Sequence, residues 1–135
     1  MAITLKRTRT TFLDLDAAFT QHPISKDVVI RKDDSAIGFA VRNILMTSPA
    51  EVPFHPERGS SIAAMLFENF NSVSQNIVAS EIKNILAIYE PRAILKEVEF
   101  DATNIERNQV AVRITYQPTN KTEDVTISVI LERVR

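Results

Sequence analysis

Five carboxylates spread along the chain, Glu57, Glu68, Glu81, Glu90 and Asp101, are the residues whose type could do acid–base or nucleophilic chemistry. Glycoside hydrolysis needs two such groups roughly 5–9.5 Å apart across a cleft, one of them kept protonated. Nothing in their spacing forces such a pair. Glu90 stands two positions before a cation in Tyr89-Glu90-Pro91-Arg92, so it is placed to pair with a guanidinium rather than to give up a proton. His22 and His55 lie far apart, each beside a proline, and neither has a second ligand at helical spacing. That argues against a metal site. The chain has no Cys, which removes thiolate nucleophiles and thiolate zinc sites. Its two glycines, Gly38 and Gly59, are too few and too separated to cradle a phosphate, and no cofactor is expected.

Glu90, Pro91 and Arg92 remain the most specific constellation. Proline lacks an N–H and clashes with the preceding turn, so a helix running up to it stops at about Glu90. Arg92 then presents a planar, always-charged fork at a fixed point. Such a fork grips a carboxylate or backbone carbonyls. Two readings stand: a C-cap that satisfies carbonyls of its own helix, or a grip on a partner.

The elements that must position this corner can be read from periodicity. Val28-Val29-Ile30 reads as a short strand. Asp33-Asp34-Ser35 offers an N-cap and negative charge for a helix over 36–47, with Ile37, Ala40, Val41, Ile44 and Leu45 on one face. Residues 48–60 form a loop with Pro49, Pro53 and Pro56. Phe54 either presents its ring from that stiffened loop or pins the loop to the core, the simpler of the two readings. Ser60-Ser61 caps a short helix through Ile62, Met65, Leu66 and Phe67. A long helix starts at Ser72 or Ser74 and buries Val78, Ile82, Ile85, Leu86 and Tyr89. Three alternating runs follow, around Val98–Ala102, Val110–Tyr116 and Val125–Leu131, with polar breaks between them. They predict an antiparallel meander with one face on the helices. The fold class is α+β: two or three helices packed on a small antiparallel sheet formed mainly by the C-terminal strands.

At 135 residues the length prior favours one domain. It divides into an N-terminal arm (1–26), a mainly helical part (27–93) and the meander (94–135). Hydrophobic residues make up 44% and charged residues 24%, as in ordinary globular proteins. The net charge of −1 gives no basic field, and the short basic run Lys6-Arg7-Thr8-Arg9 alone does not argue for nucleic acid. No apolar run is long enough to cross a bilayer, and the N-terminus lacks the apolar stretch of a signal peptide. Neither a nucleic-acid nor a membrane partner is expected. The last strand runs to the end of the sequence, and a terminal strand at a sheet edge can accept a strand from another subunit.

Four segments carry a resemblance. Val41-Arg42-Asn43-Ile44-Leu45-Met46-Thr47 comes first, then Pro53-Phe54-His55-Pro56-Glu57-Arg58-Gly59-Ser60. Leu66-Phe67-Glu68 and Tyr89-Glu90-Pro91-Arg92 follow. In order and spacing, over about 36–95, they resemble the small baseplate wedge proteins of contractile-tailed phages. That group, the phage protein W family, also holds the wedge subunit of type VI secretion baseplates. Three positions depart from the family pattern: Val52 stands where a basic residue is usual, Arg58 where an aromatic is usual, and Asn69 where proline is frequent.

The resemblance implies a structural protein and no enzyme. It implies a place in the virion, at the tail baseplate, with assembly in the host cytoplasm. Partners would be the larger baseplate wedge subunits, the tail sheath protein and other baseplate proteins. Glu90, Pro91 and Arg92 would lie at the junction with a helical core bundle, and Pro53 and Phe54 are further candidates for partner contact. The terminal strand, about 125–134, would template the first sheath ring. On this reading alanine at Arg92 leaves the domain folded and abolishes wedge assembly. The alternative is a lysozyme-like glycoside hydrolase of the tail, since members of the family have been labelled lysozymes.

Overall fold

A computed structural model describes residues 11–68 and 70–132. Strand β1 (Leu13–Leu15) pairs antiparallel with β2 (Ile30–Lys32), Asp14 opposite Arg31. Helix α1 (Asp33–Met46) leaves β2 directly, and α2 (Ile62–Glu68) and α3 (Ser72–Tyr89) follow. Strands β3 (Ala93–Asp101), β4 (Gln109–Pro118) and β5 (Val125–Glu132) form an antiparallel meander in the order β3-β4-β5. The α+β architecture expected from periodicity is present, with helices laid against one face of a C-terminal sheet.

The central strand shows why. Val110, Val112, Ile114 and Tyr116 alternate along β4 and are each no more than 1% exposed. They meet Ile37 and Val41 of α1 and Val78, Ile82 and Leu86 of α3 in one core. Strand β5 repeats the pattern, turning Val129 and Leu131 inward and Thr126, Ser128 and Ile130 outward. Period-two alternation against period-3.6 stripes is the arrangement that buries both at once. Helix α1 approaches β4 closely at Gly38, where an added Cβ would stand 3.3 Å from the Tyr116 hydroxyl oxygen.

Three local expectations need correction. Helix α1 begins at Asp33 rather than Ala36 and carries no side-chain cap; Asp33 and Asp34 sit in its first turn, where their charge still favours the positive helix end. Strand β3 begins at Ala93, before the alternating run that signalled it. A bulge between Leu95 and Glu97 shifts the phase, so Ala93 and Leu95 face inward before it and Val98 and Phe100 after it. The arm contributes the paired strand β1 within the described residues, and the short strand near 28–30 begins at Ile30. Helix α3 begins as expected: Asn71 and Ser74 form a reciprocal capping box. The last residues of the expected sheath-facing strand, 133–135, lie outside the described residues.

Candidate protein junction

Pro91 ends α3. Glu90 caps the helix with its N–H still bonded to the Leu86 carbonyl at 2.9 Å, and β3 starts three residues on. The turn is held from both sides. The Ala93 N–H reaches the Glu90 carbonyl at 3.1 Å, and the Thr119 N–H reaches the Arg92 carbonyl at 2.9 Å.

Arg92 spends its fork on two carboxylates. Its Nε donates to Glu90 Oε1 at 2.6 Å and Nη2 donates to Glu90 Oε2 at 2.9 Å. On the far side Nη1 and Nη2 donate to the two oxygens of Asp14 at 3.0 and 2.9 Å. The guanidinium also lies 5.4 Å from the centre of the Phe12 ring. Glu90 is 4% exposed, so this pairing is what makes its burial tolerable. The hydrogen bond from Arg92 holds the Asp14 carboxyl below its usual value. Glu90 first, then Asp14, make the guanidinium still harder to deprotonate.

Neither sequence reading of Arg92 was complete. Among the described residues its fork goes to carboxylates of its own chain, with no bond to a helix carbonyl. It braces the N-terminal strand to the α3–β3 corner. Alanine at Arg92, expected to leave the domain folded, would also strand the buried Glu90 carboxylate, so it weakens the fold as well as any junction. Asp14 was missed. Its signal was Leu13-Asp14-Leu15, an alternation that sends the middle residue to the opposite face from its neighbours.

The Pro53–Phe54 loop lies beside this corner. Phe54 is 97% exposed with φ of +65°, so it does not pin the loop to the core. Other contacts hold the loop. The Ser60 hydroxyl donates to the Leu45 carbonyl at 2.9 Å, and the Tyr89 hydroxyl donates to the Glu57 carbonyl at 3.3 Å. Arg58 lies over the Tyr89 ring at 5.7 Å. Between α1, this loop and the end of α3 is a cleft of about 300 Å³, bordered by Asn43, Val52, Arg58, Gly59, Tyr89 and Glu90. Segments far apart in sequence thus converge on one place.

That cleft is poorly equipped for hydrolysis. Glu90 is the one carboxylate lining it, and both its oxygens are held by Arg92. Glu57 and Glu68 are exposed, Glu81 sits midway along α3 and Asp101 ends β3. Among the described residues no group of three His, Cys, Asp or Glu side chains could hold a metal ion. No helix among them is long and apolar enough to cross a membrane.

Residues 31–122, more than half of the chain, match the family model described as baseplate wedge protein gp25. The chain belongs to that family. It is thus a structural component of a phage-like, contractile-type baseplate and associates with other baseplate proteins. The fold of this wedge-family chain is shared by solved structures of low identity. One is a protein from Geobacter sulfurreducens provisionally named a tail lysozyme, 20% identical with a TM-score of 0.70, covering 79% of this chain and 96% of that one. Another is in the baseplate of the anti-feeding prophage, 17% identical with a TM-score of 0.60, covering 92% of this chain and 88% of that one. No curated protein sequence matches.

Proposed function

We propose that this chain is the wedge subunit that joins the baseplate's core bundle and templates the first ring of tail sheath through β5. The larger wedge subunits and the sheath protein are its partners, and the particle is built in the host cytoplasm. The Glu90-Pro91-Arg92 corner sets the angle at which the chain meets the bundle, with Pro53 and the exposed Phe54 as neighbouring contacts. It performs no enzymatic step.

The observation that carries this reading is the contrast between the two edges of the meander. Strand β5 pairs with β4 over eight consecutive positions without a bulge, and its outward residues are Thr126, Ser128, Ile130 and Glu132. Strand β3, on the other edge, is bulged and exposes Lys96, Glu97, Glu99 and Asp101. Bulges and edge charges are what blunt a strand against pairing. The open edge is therefore β5.

Lysines at Ser128 and Ile130 test it. Both positions are exposed, so the circular dichroism spectrum and Tm should stay at wild-type values. Sheath recruited to baseplates should fall at least tenfold, and Glu99→Ser on the opposite edge should change nothing. Normal sheath assembly with both lysines present would sink the template role. Cell-wall turnover by the purified chain, lost on one Glu→Gln change, would restore the hydrolase alternative.

A further inference from the structure

Beside the open edge of β5 lies a groove of about 360 Å³. Gly38, Phe39 and Arg42 of α1 border it on one side, and Ile127 and Ser128 of β5 on the other. Gly38 leaves the floor empty, since an added Cβ there would lie 3.4 Å from Ile127 Cγ2. Three charged side chains reach the groove, and two are committed within the chain. Arg31 holds Asp16 at 2.7 Å and covers the Phe39 ring. Asp34 pairs with Lys121. Arg42 is exposed, and its guanidinium makes no ion pair or hydrogen bond among the described residues. Its neighbours one turn away on α1, Gly38, Phe39, Leu45 and Met46, offer it no carboxylate.

Resting on the template reading above, we infer that this groove is the specificity pocket for the strand that β5 receives, and that the incoming strand places a carboxylate on Arg42. Strand β5 pairs with β4 alone among the described residues, so its other edge keeps free backbone donors and acceptors. An added strand alternates its side chains between the two faces of the sheet, so every second one turns to the α1 side beside Ile127. Main-chain bonds to an edge supply affinity, and the pockets that take the alternate side chains supply selection. A guanidinium without a partner selects a carboxylate, which it holds through two parallel hydrogen bonds. Phe39 and Ile127 make the surroundings apolar, and a strand lying over them sheds water from the pair and strengthens it.

A second copy of this chain lacks the required acid. Two β5 strands paired antiparallel across a two-fold axis would each turn Val125, Ile127, Val129 and Leu131 to the α1 side. All four are aliphatic, and Glu132 faces the other way. Arg42 would then be covered with nothing to pair with, at the cost of a desolvated charge. The occupant is therefore a strand of a different chain, apolar along its inward side except for one Asp or Glu.

The test uses baseplates assembled with the whole chain and the sheath protein of the same particle. Arg42 is exposed, so Arg42→Ala, Arg42→Lys and Arg42→Glu should all keep the wild-type Tm. Sheath recruited at low salt should fall about tenfold with alanine, further with glutamate and least with lysine, which keeps the charge without the fork. Added salt should weaken recruitment by the wild type more than by the alanine variant. Lysine at one acidic position of the sheath strand should restore recruitment by Arg42→Glu, and that position identifies the carboxylate. If no acidic position restores it, the assignment of a carboxylate is wrong. Wild-type recruitment by the alanine and glutamate variants, while lysines at Ser128 and Ile130 still block it, would overturn the pocket and leave the template role standing. Normal recruitment by all of these variants would overturn both readings. A self-dimer in sedimentation, dissolved by the lysines at Ser128 and Ile130, would overturn the pocket in favour of a second copy.

Discussion

Arg92 and Asp14 form a two-toothed ion pair across 78 positions of sequence, with both guanidinium terminal nitrogens on both carboxylate oxygens. The same guanidinium holds Glu90 through Nε. One side chain thus ties β1 to the point where α3 becomes β3. Strand β1 has three residues and pairs only with the three of β2 among the described residues. A two-stranded ribbon that short is not stable alone. Its attachment comes from the Arg92 fork and from Asp16, which binds Arg31 at 2.7 Å while Arg31 covers the Phe39 ring of α1.

Arg92→Ala should destabilise the fold by about 2–3 kcal/mol, the cost of leaving a buried carboxylate without its cation. That corresponds to a Tm lower by roughly 10 °C in a chain of this size. Asp14→Asn should cost less, because Asp14 is partly exposed and Glu90 keeps its partner. Thermal unfolding of the two variants decides the ranking. Equal, negligible losses would mean the clamp contributes nothing. The practical consequence is that Arg92→Ala confuses folding with assembly, and exposed Phe54 is the cleaner probe of partner contact.

Asp14 also sets an acid limit. Its carboxyl is held below the ordinary value of 3.8 by the Arg92 hydrogen bond, so the folded state binds that proton less readily than the unfolded chain. The stabilisation is complete above pH 3.8 and is lost as pH falls through the lower folded value. Amide exchange at Asp14 and Asp16, the positions that face β2 in the alternating hydrogen-bond ladder, should quicken in that window before exchange in β4 does. Simultaneous loss of protection in both would count against a local clamp.

The sheet was legible because alternation along β4 and β5 is unbroken and most of the inward residues are β-branched or aromatic. The α3 stop was legible because proline cannot continue a helix. The start of β3 was not, because one bulged residue near Lys96 reverses the phase and hides Ala93 and Leu95 from a period-two search. The partner of Arg92 was not legible either. Nothing in local periodicity links Asp14 to a residue 78 positions away, and only the closing of the fold brings them together.

Gly59 is required by its backbone. Its φ is +129°, and an added Cβ would lie 2.5 Å from the Ser48 carbonyl oxygen. Neither backbone can yield cheaply, since the Ser60 N–H bonds to the Thr47 carbonyl at 2.8 Å. Gly59→Ala should cost about 2 kcal/mol or more. Denaturant unfolding at an unchanged m-value would check it, and a neutral result would mean the loop is not held as described.

Tyr116 gives the opposite kind of prediction. The residue is 0% exposed, and its hydroxyl has no hydrogen-bond partner among the described residues. Burial first, then the nearby Asp34 and Glu90 charges, push its pKa up from 10 to about 12. Tyr116→Phe removes an unsatisfied polar atom while keeping the ring, so stability at neutral pH should hold or rise by about 1 kcal/mol. The pH dependence has a definite sign. The folded value lies above the unfolded one, so the wild type is unaffected below pH 10 and loses stability between pH 10 and about 12, as the unfolded chain ionises first. The Phe variant should lack that part of the alkaline loss. Urea midpoints of both proteins at pH 7 and pH 11 measure it. A Phe variant less stable at pH 7 would mean that the hydroxyl has a partner, with Asp34, which shifts its titration, the first to examine.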